Sequence, residues 1–187
     1  MTSRMVPGLA GVLLLMAGSV ATAQEAESTN RVAAETDWSV FIEDNPKECW
    51  AVTQPKETEN TRDGRVVAVR RGETLLFTFF RPDEDVAGQV TFTGGYPFST
   101  EEPITLVIGD SEFRLYTQPD DSDTPVNEQE WAWAASPEED AKIAAAMRRG
   151  SDAVVTAQST RGTQTQDTFS LMGYTSAVEE AQRRCEE

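Results

Sequence analysis

The stretch Thr74-Leu75-Leu76-Phe77-Thr78-Phe79-Phe80 decides the architecture. Side chains alternate between the two faces of a strand, yet here Leu75, Leu76, Phe77, Phe79 and Phe80 leave almost no polar face. A strand that is apolar on both sides belongs in the middle of a sheet, covered above and below. The chain around it breaks into short β-like pieces separated by turn residues, as expected for stacked antiparallel strands rather than βαβ units.

Upstream, Arg65 to Arg71 reads as a strand, with Val66, Val67, Ala68 and Val69 at its heart, turned into the central segment by Arg71-Gly72-Glu73. Gln54 to Asp63 is polar, with Pro55 and alternating charge, and reads as a loop. Glu48 to Thr53 is a strand carrying Cys49, and Asn45-Pro46 separates it from a period-2 segment in which Trp38, Val40 and Ile42 share one side. Downstream, Arg81 to Asp85 is an exposed acidic turn, and Gln89 to Thr93 alternates with Val90 and Phe92 inward. Gly94-Gly95-Tyr96-Pro97-Phe98 is a loop with glycines suited to positive φ. Ile104 to Ile108 and Glu112 to Tyr116 flank Gly109-Asp110 as a hairpin. Gln118 to Gln129 is an acidic loop, Glu130 to Ala134 a short strand, and Ala153 to Ser159 and Gln166 to Met172 two more.

Two segments change period. Ser136-Pro137-Glu138-Glu139 is a helix start, with Ser at the N-cap, Pro at N1 and Glu at N3 completing a capping box. That helix runs toward Arg149 with Ile143, Ala146 and Met147 inward. The last segment places Tyr174, Val178, Ala181 and Cys185 on one helical face, with Thr175 as its cap. The reading is a mainly β, single-domain fold, a β-sandwich or curved antiparallel sheet of about nine short strands, with one helix near 137–149 and a C-terminal helix near 175–185.

The N-terminus carries Arg4, the apolar stretch Val6 to Val20, and Ala21-Thr22-Ala23, which together read as a secretory signal peptide spanning residues 1–23. The stretch is short of the ~20 apolar residues of a membrane span. The expectation is a periplasmic or envelope protein exported by a cleaved signal, with no transmembrane span after cleavage. Residues 24–36, polar and rich in Ala and Glu, read as a disordered leader, and 37–187 as the folded domain. In an oxidising compartment the two cysteines, Cys49 and Cys185, should pair and close that domain.

Charge and composition narrow the chemistry. The chain has 16 Lys and Arg against 32 Asp and Glu, a formal charge of −16. That balance repels nucleic acid. It contains no histidine, which removes Ser-His-Asp and Cys-His catalysis and His-ligated metal sites. Asp120, Asp121 and Asp123 cluster, but D-D-x-D lacks the glycine and distal glutamate of a calcium loop, so no metal is assigned. Glu101-Glu102 and Asp83-Glu84-Asp85 read as solvated acidic runs. No catalytic residue and no cofactor is implied.

Among Trp38, Trp50, Trp131 and Trp133, the pair Trp131/Trp133 shares a face if extended and follows a polar loop. It is the expected aromatic surface for a glycan or peptide. Arg161, opening the stretch Arg161-Gly162-Thr163-Gln164-Thr165-Gln166-Asp167, is either part of a partner-recognising edge or a hairpin-turn residue bridged to an acid such as Asp167. Trp131, Trp133 and Arg161 are the candidate partner-binding surface.

Several stretches taken in order resemble the invasion-associated locus B family of exported α-proteobacterial proteins. They are Asp37-Trp38-Ser39-Val40; Cys49-Trp50 followed by Thr61-Arg62-Asp63-Gly64-Arg65; Gly94-Gly95-Tyr96-Pro97-Phe98; Trp131-Ala132-Trp133; Arg161-Gly162-Thr163 leading to Asp167-Thr168-Phe169-Ser170-Leu171; and the closing helix with Cys185. The resemblance implies a β-rich periplasmic or outer-membrane-associated protein and brings no enzymatic activity. In pathogenic members the family name refers to host-cell invasion, but the acidity of this chain suits direct adhesion to a negative surface poorly. The function expected is non-catalytic binding of an envelope or host macromolecule. The alternatives are a small-ligand or cation-binding module and, third, a carboxylate hydrolase.

Overall fold

The computed structural model describes residues 30–119 and 127–187. The signal-peptide expectation for 1–23 and the acidic cluster Asp120, Asp121 and Asp123 lie outside these residues. Along the chain run β1 (Arg31–Glu35), β2 (Trp38–Asp44), β3 (Lys47–Thr53), β4 (Glu57–Arg62), β5 (Arg65–Val66), β6 (Leu75–Arg81), β7 (Val86–Thr93), β8 (Ile104–Ile108), β9 (Ser111–Leu115), β10 (Trp131–Trp133), α1 (Pro137–Met147), β11 (Asp152–Gln158), β12 (Gln164–Ser170) and α2 (Tyr174–Cys185). All described strand pairs are antiparallel. They form two six-stranded sheets, sheet A in the order β1-β2-β3-β6-β7-β10 and sheet B in the order β5-β4-β12-β11-β8-β9.

The central segment sits where its composition puts it. β6 lies between β3 and β7, with Leu76 and Phe80 in the core between the sheets. Phe77 and Phe79, on its other face, are still only 7% and 8% exposed. The core also takes Trp38, Val40, Val90 and Phe92 from sheet A, and Leu106, Val155 and Phe169 from sheet B. At one edge the sheets touch: Tyr116, just past β9, exchanges both backbone hydrogen bonds with Trp133 of β10, at 2.8 and 2.9 Å.

The helices complete the core. Ser136 caps α1 by accepting the Glu139 N–H, while the Glu139 carboxylate pairs with Lys142 at 2.5 Å, so the reciprocal half of the expected capping box goes to an ion pair. Asp140 turns inward and accepts the Val90 N–H at 2.8 Å, beyond the last β10 pairing at Thr91. Burial raises its carboxyl pKa, and the bond from Val90 opposes that shift. α2 packs on β2 and β3, where Cys185 meets Cys49 with Cα atoms 5.7 Å apart, as the pairing argument requires. Tyr174 lies edge-on to Trp38, centroids 4.9 Å apart, and its hydroxyl is 3.2 Å from Thr78 Oγ1.

Several expectations are corrected. The described residues hold twelve strands where about nine were expected. Residues 31–35, assigned to the leader, form β1 at the edge of sheet A. The polar loop 54–63 contains β4, paired with β12 from Glu57↔Thr168 to Thr61↔Gln164. Its inward positions meet polar partners rather than the apolar core, so no hydrophobic alternation marks it. Conversely, the Val-rich run 65–71 is a strand only at Arg65–Val66, and Val66 is 74% exposed. α2 is capped by Gly173 at φ 94°, not by Thr175. A Cβ there would lie 1.9 Å from the Glu35 carbonyl oxygen, so the close approach of β1 requires glycine.

Candidate functional site

The strand registers generate an aromatic outer face on sheet A. Side chains directly opposite one another across antiparallel strands fall in rows. One row runs Phe41, Trp50, Phe79, Gln89. The next runs Ser39, Val52, Phe77, Thr91, Trp133, and a third Leu75, Thr93, Trp131. The rings touch in sequence. Phe41 and Trp50 stack with centroids 5.6 Å apart and planes 8° apart, Trp50 meets Phe79 at 6.0 Å, Phe79 meets Phe77 at 5.0 Å, and Phe77 meets Trp131 at 5.5 Å. Arg81 closes one end, its guanidinium 4.6 Å from the Phe79 centroid and held by Glu48 at 2.9 Å. Phe41, Trp50, Trp131 and Trp133 are half-buried. Beneath them Thr91 is 1% exposed, and its hydroxyl has no hydrogen-bond partner among the described residues.

Trp131 and Trp133 therefore share a face as the extended reading requires, with Ala132 inward at full burial. Trp50 joins them on the same outer face. Trp38 does not. It is a core residue, donating its indole N–H to the Ser170 carbonyl at 3.0 Å.

Arg161 lies elsewhere, in the turn between β11 and β12. The turn is a tight one: Gly162 N–H reaches the Ser159 carbonyl at 2.8 Å, and Gly162 has φ 76°. Arg161 is exposed and lines a cleft of about 440 Å³ together with Arg62, Arg70, Arg71, Tyr96, Glu130 and neighbouring hydroxyl residues. The hairpin-turn reading holds, but the bridge it assigned does not. The acid Asp167 belongs to Arg71, not to Arg161.

That pair anchors the cleft floor. Thr163, just before β12, and Thr165, Asp167 and Phe169 on it are all buried, and Asp167 is fully so. An ionised carboxylate there requires a partner. Arg71 supplies a two-pronged one, Nη2 to Oδ2 at 2.6 Å and Nη1 to Oδ1 at 2.8 Å, and donates Nε–H to the Gly94 carbonyl at 3.0 Å. Thr58 Oγ1 donates to Asp167 at 2.8 Å. Tyr96 lies under the guanidinium, 5.1 Å from ring centroid to Cζ, with its hydroxyl 2.6 Å from Thr165 Oγ1. Burial drives the Tyr96 phenol up to about 12, against the opposing pull of Thr165 and Arg71. Gly95, at φ 69°, lets this loop pass against Gly72; a Cβ would lie 2.5 Å from the Gly72 carbonyl carbon.

Sequence reasoning missed Arg71, Tyr96 and Asp167 as a unit. A signal existed: a lone acid at an inward strand position, in a chain whose arginines cluster at 62, 65, 70 and 71. Chemically, Asp167 and the Arg71 fork satisfy each other, leaving an anchored floor rather than an acid–base pair. Among the described residues no group of three or more Cys, Asp and Glu could hold a metal ion, and no helix is long and apolar enough to cross a membrane.

Comparison with known proteins agrees with this architecture. Comparison with curated proteins gives no match. The crystal structure of invasion associated protein B from Bartonella henselae superimposes with a TM-score of 0.53 at 15% sequence identity, over 83% of this chain and 98% of that one, a likeness of fold. The family model of the invasion associated locus B protein matches residues 38–182, and the chain belongs to that family.

Proposed function

We propose that the protein is exported to the periplasm or outer membrane and works by binding, not catalysis, seating apolar side chains of an envelope or host protein on the outer face of sheet A. The observation that carries this reading is the unbroken ring sequence Phe41–Trp50–Phe79–Phe77–Trp131 on a face turned away from the core. Aromatic side chains with part of their surface still wet are enriched at protein interfaces. The ring geometry favours a protein over a sugar. Phe41/Trp50 and Phe77/Phe79 stack on one another with planes 8° and 16° apart, so each ring covers part of its neighbour's face, whereas a sugar ring needs an open aromatic face. The Cys49–Cys185 bond supports export, since such bonds persist in oxidising compartments.

The test is in-cell photo-crosslinking in the native host. A photoreactive residue is placed at Trp133 on the outer face of sheet A, or at Gln166 on the outer face of sheet B, and adducts are identified by mass spectrometry. The expected result is a reproducible protein adduct from position 133 and none from 166. Adducts from neither position, or equally from both, would overturn the assignment. N-terminal sequencing of the same material checks export, with Gln24 expected as the first residue of the periplasmic form.

A further inference from the structure

The cleft beside Arg161 has the wrong charge for its protein. The chain as a whole is −16, yet four arginines, Arg62, Arg70, Arg71 and Arg161, line one cleft of about 440 Å³, and Glu130 is the one carboxylate among its lining residues. Arg71 is balanced by Asp167 and its fork is occupied. The other three form no ion pair with a described carboxylate. Arg62 donates to the neutral Thr163 hydroxyl at 2.5 Å, which fixes it without neutralising it. Arg70 and Arg161 are exposed, in a chain with acids in excess, and neither forms an ion pair with a described residue. Exposed arginines in so acidic a chain would ordinarily have carboxylates set near them; here the nearby hydroxyls of Ser159, Thr160 and Thr163 stand in their place.

We propose that this cleft is an anion site for a phosphoryl group. The three guanidiniums without a described carboxylate partner come from separate segments: Arg62 from the end of β4, Arg70 from the segment leading to β6, and Arg161 from the β11–β12 turn. A planar carboxylate is satisfied by one guanidinium fork, whereas the several oxygens of a phosphate can take donors from more than one side. The overall negative charge does not forbid this. Its field is screened over ~8 Å at physiological salt, so the groups inside the cleft dominate at contact. The anchored pair of Arg71 and Asp167, with Tyr96 under the guanidinium, fixes the floor of the cleft, and the exposed Arg70 and Arg161 side chains complete the site around the ligand. The Arg70 and Arg161 side chains are exposed and form no ion pair among the described residues, which makes them the residues to change.

Two probes separate the sources of such a group. Inorganic pyrophosphate, titrated by calorimetry, offers it free in solution. Phosphatidylcholine vesicles with and without phosphatidic acid, tested by co-sedimentation, offer it on a lipid surface. The expected result is saturable binding of pyrophosphate, weakened about tenfold or more in the Arg70→Gln/Arg161→Gln double variant with an unchanged melting temperature, and unaffected by Arg65→Gln. Binding confined to the phosphatidic acid vesicles, and lost in the double variant, would also support the site and assign its ligand to a lipid headgroup. No saturable binding to either probe, binding that survives the double variant, or equal loss in Arg65→Gln would overturn it.

Discussion

The two sheets treat their outer faces in opposite ways. Sheet A turns Phe41, Trp50, Val52, Leu75, Phe77, Phe79, Trp131 and Trp133 outward. Sheet B, with the same number of strands, turns out mainly polar side chains, Glu57, Glu59, Thr61, Gln164, Gln166, Thr168, Thr156 and Gln158, with Val66, Val107 and Val154 among them. A sandwich needs one apolar face per sheet, and sheet B supplies it from residues such as Leu106, Val155 and Phe169, with a polar part beside β4. Sheet A supplies a second apolar face that the core does not use. The inner faces differ in the reverse sense. Sheet A is mainly apolar inside, with Thr78 bonded to the Tyr174 hydroxyl, and is tied to α2 by Cys49–Cys185, whereas sheet B carries the ion-paired Asp167 on its inner face beside β4. The lesson is that burial in this fold does not track which side of a sheet a residue occupies. Phe77 on an outer face and Asp167 on an inner one are both nearly or fully buried.

The largest effect that would sharpen this contrast comes from the tie on sheet A. The Cys49–Cys185 bond spans 136 residues, and closing so long a loop is worth roughly 5 kcal/mol in the chain-entropy model. Cys185→Ser should therefore lower the melting temperature by about 10–20 °C in non-reducing buffer. A drop of only a few degrees would mean that α2 is held on sheet A by the packing of Tyr174, Val178 and Ala181 alone.

Next comes the buried acid of sheet B. Asp167→Ala leaves Arg71 without its carboxylate in a place where its side chain is 8% exposed. Removing one partner of a buried pair costs about 3–5 kcal/mol, and chemical denaturation should read a loss of that size. If Asp167→Ala proved nearly neutral, the inner face of sheet B would tolerate an unpaired guanidinium, and its polar interior would not be the tightly coupled unit described above.

The smallest effect tests the outer faces directly. Thr91 sits on the row between Phe77 and Trp133 with an unpartnered hydroxyl, and a buried unsatisfied group costs about 1–3 kcal/mol. Thr91→Val should raise stability by about 1 kcal/mol. The matching change on sheet B, Thr156→Val between Thr105 and Gln166, should stay within about 0.5 kcal/mol of zero. Equal responses in the two sheets would break the comparison.

Where hydrophobic alternation was strong, the fold was legible in residues alone. The segment at 74–80 announced a central strand, Trp131-Ala132-Trp133 announced a shared aromatic face, and the Ser136-Pro137 start and the spacing of Tyr174 to Cys185 announced both helices. β4 was illegible because its inner positions, Thr58, Asn60 and Arg62, answer to Asp167, Arg71 and Thr163, which lie more than a hundred residues away or in a separate loop. The Val-rich run at 65–71 misled in the opposite direction. Its apolar side chains suit a strand, but it finds a strand partner only for Arg65–Val66.

By itself, then, the sequence determined a mainly β class, the pairing of two cysteines, the charge and the absence of histidine chemistry. Each of these follows from residue identity, short-range periodicity or a simple count. Only the tertiary structure decided which acid meets which arginine, which tryptophan is core and which is surface, and that four arginines share a cleft. Those outcomes depend on register between strands distant in the chain. A one-residue shift in register reverses which face every side chain on a strand occupies, and the composition of either strand alone does not reveal the partner that sets it.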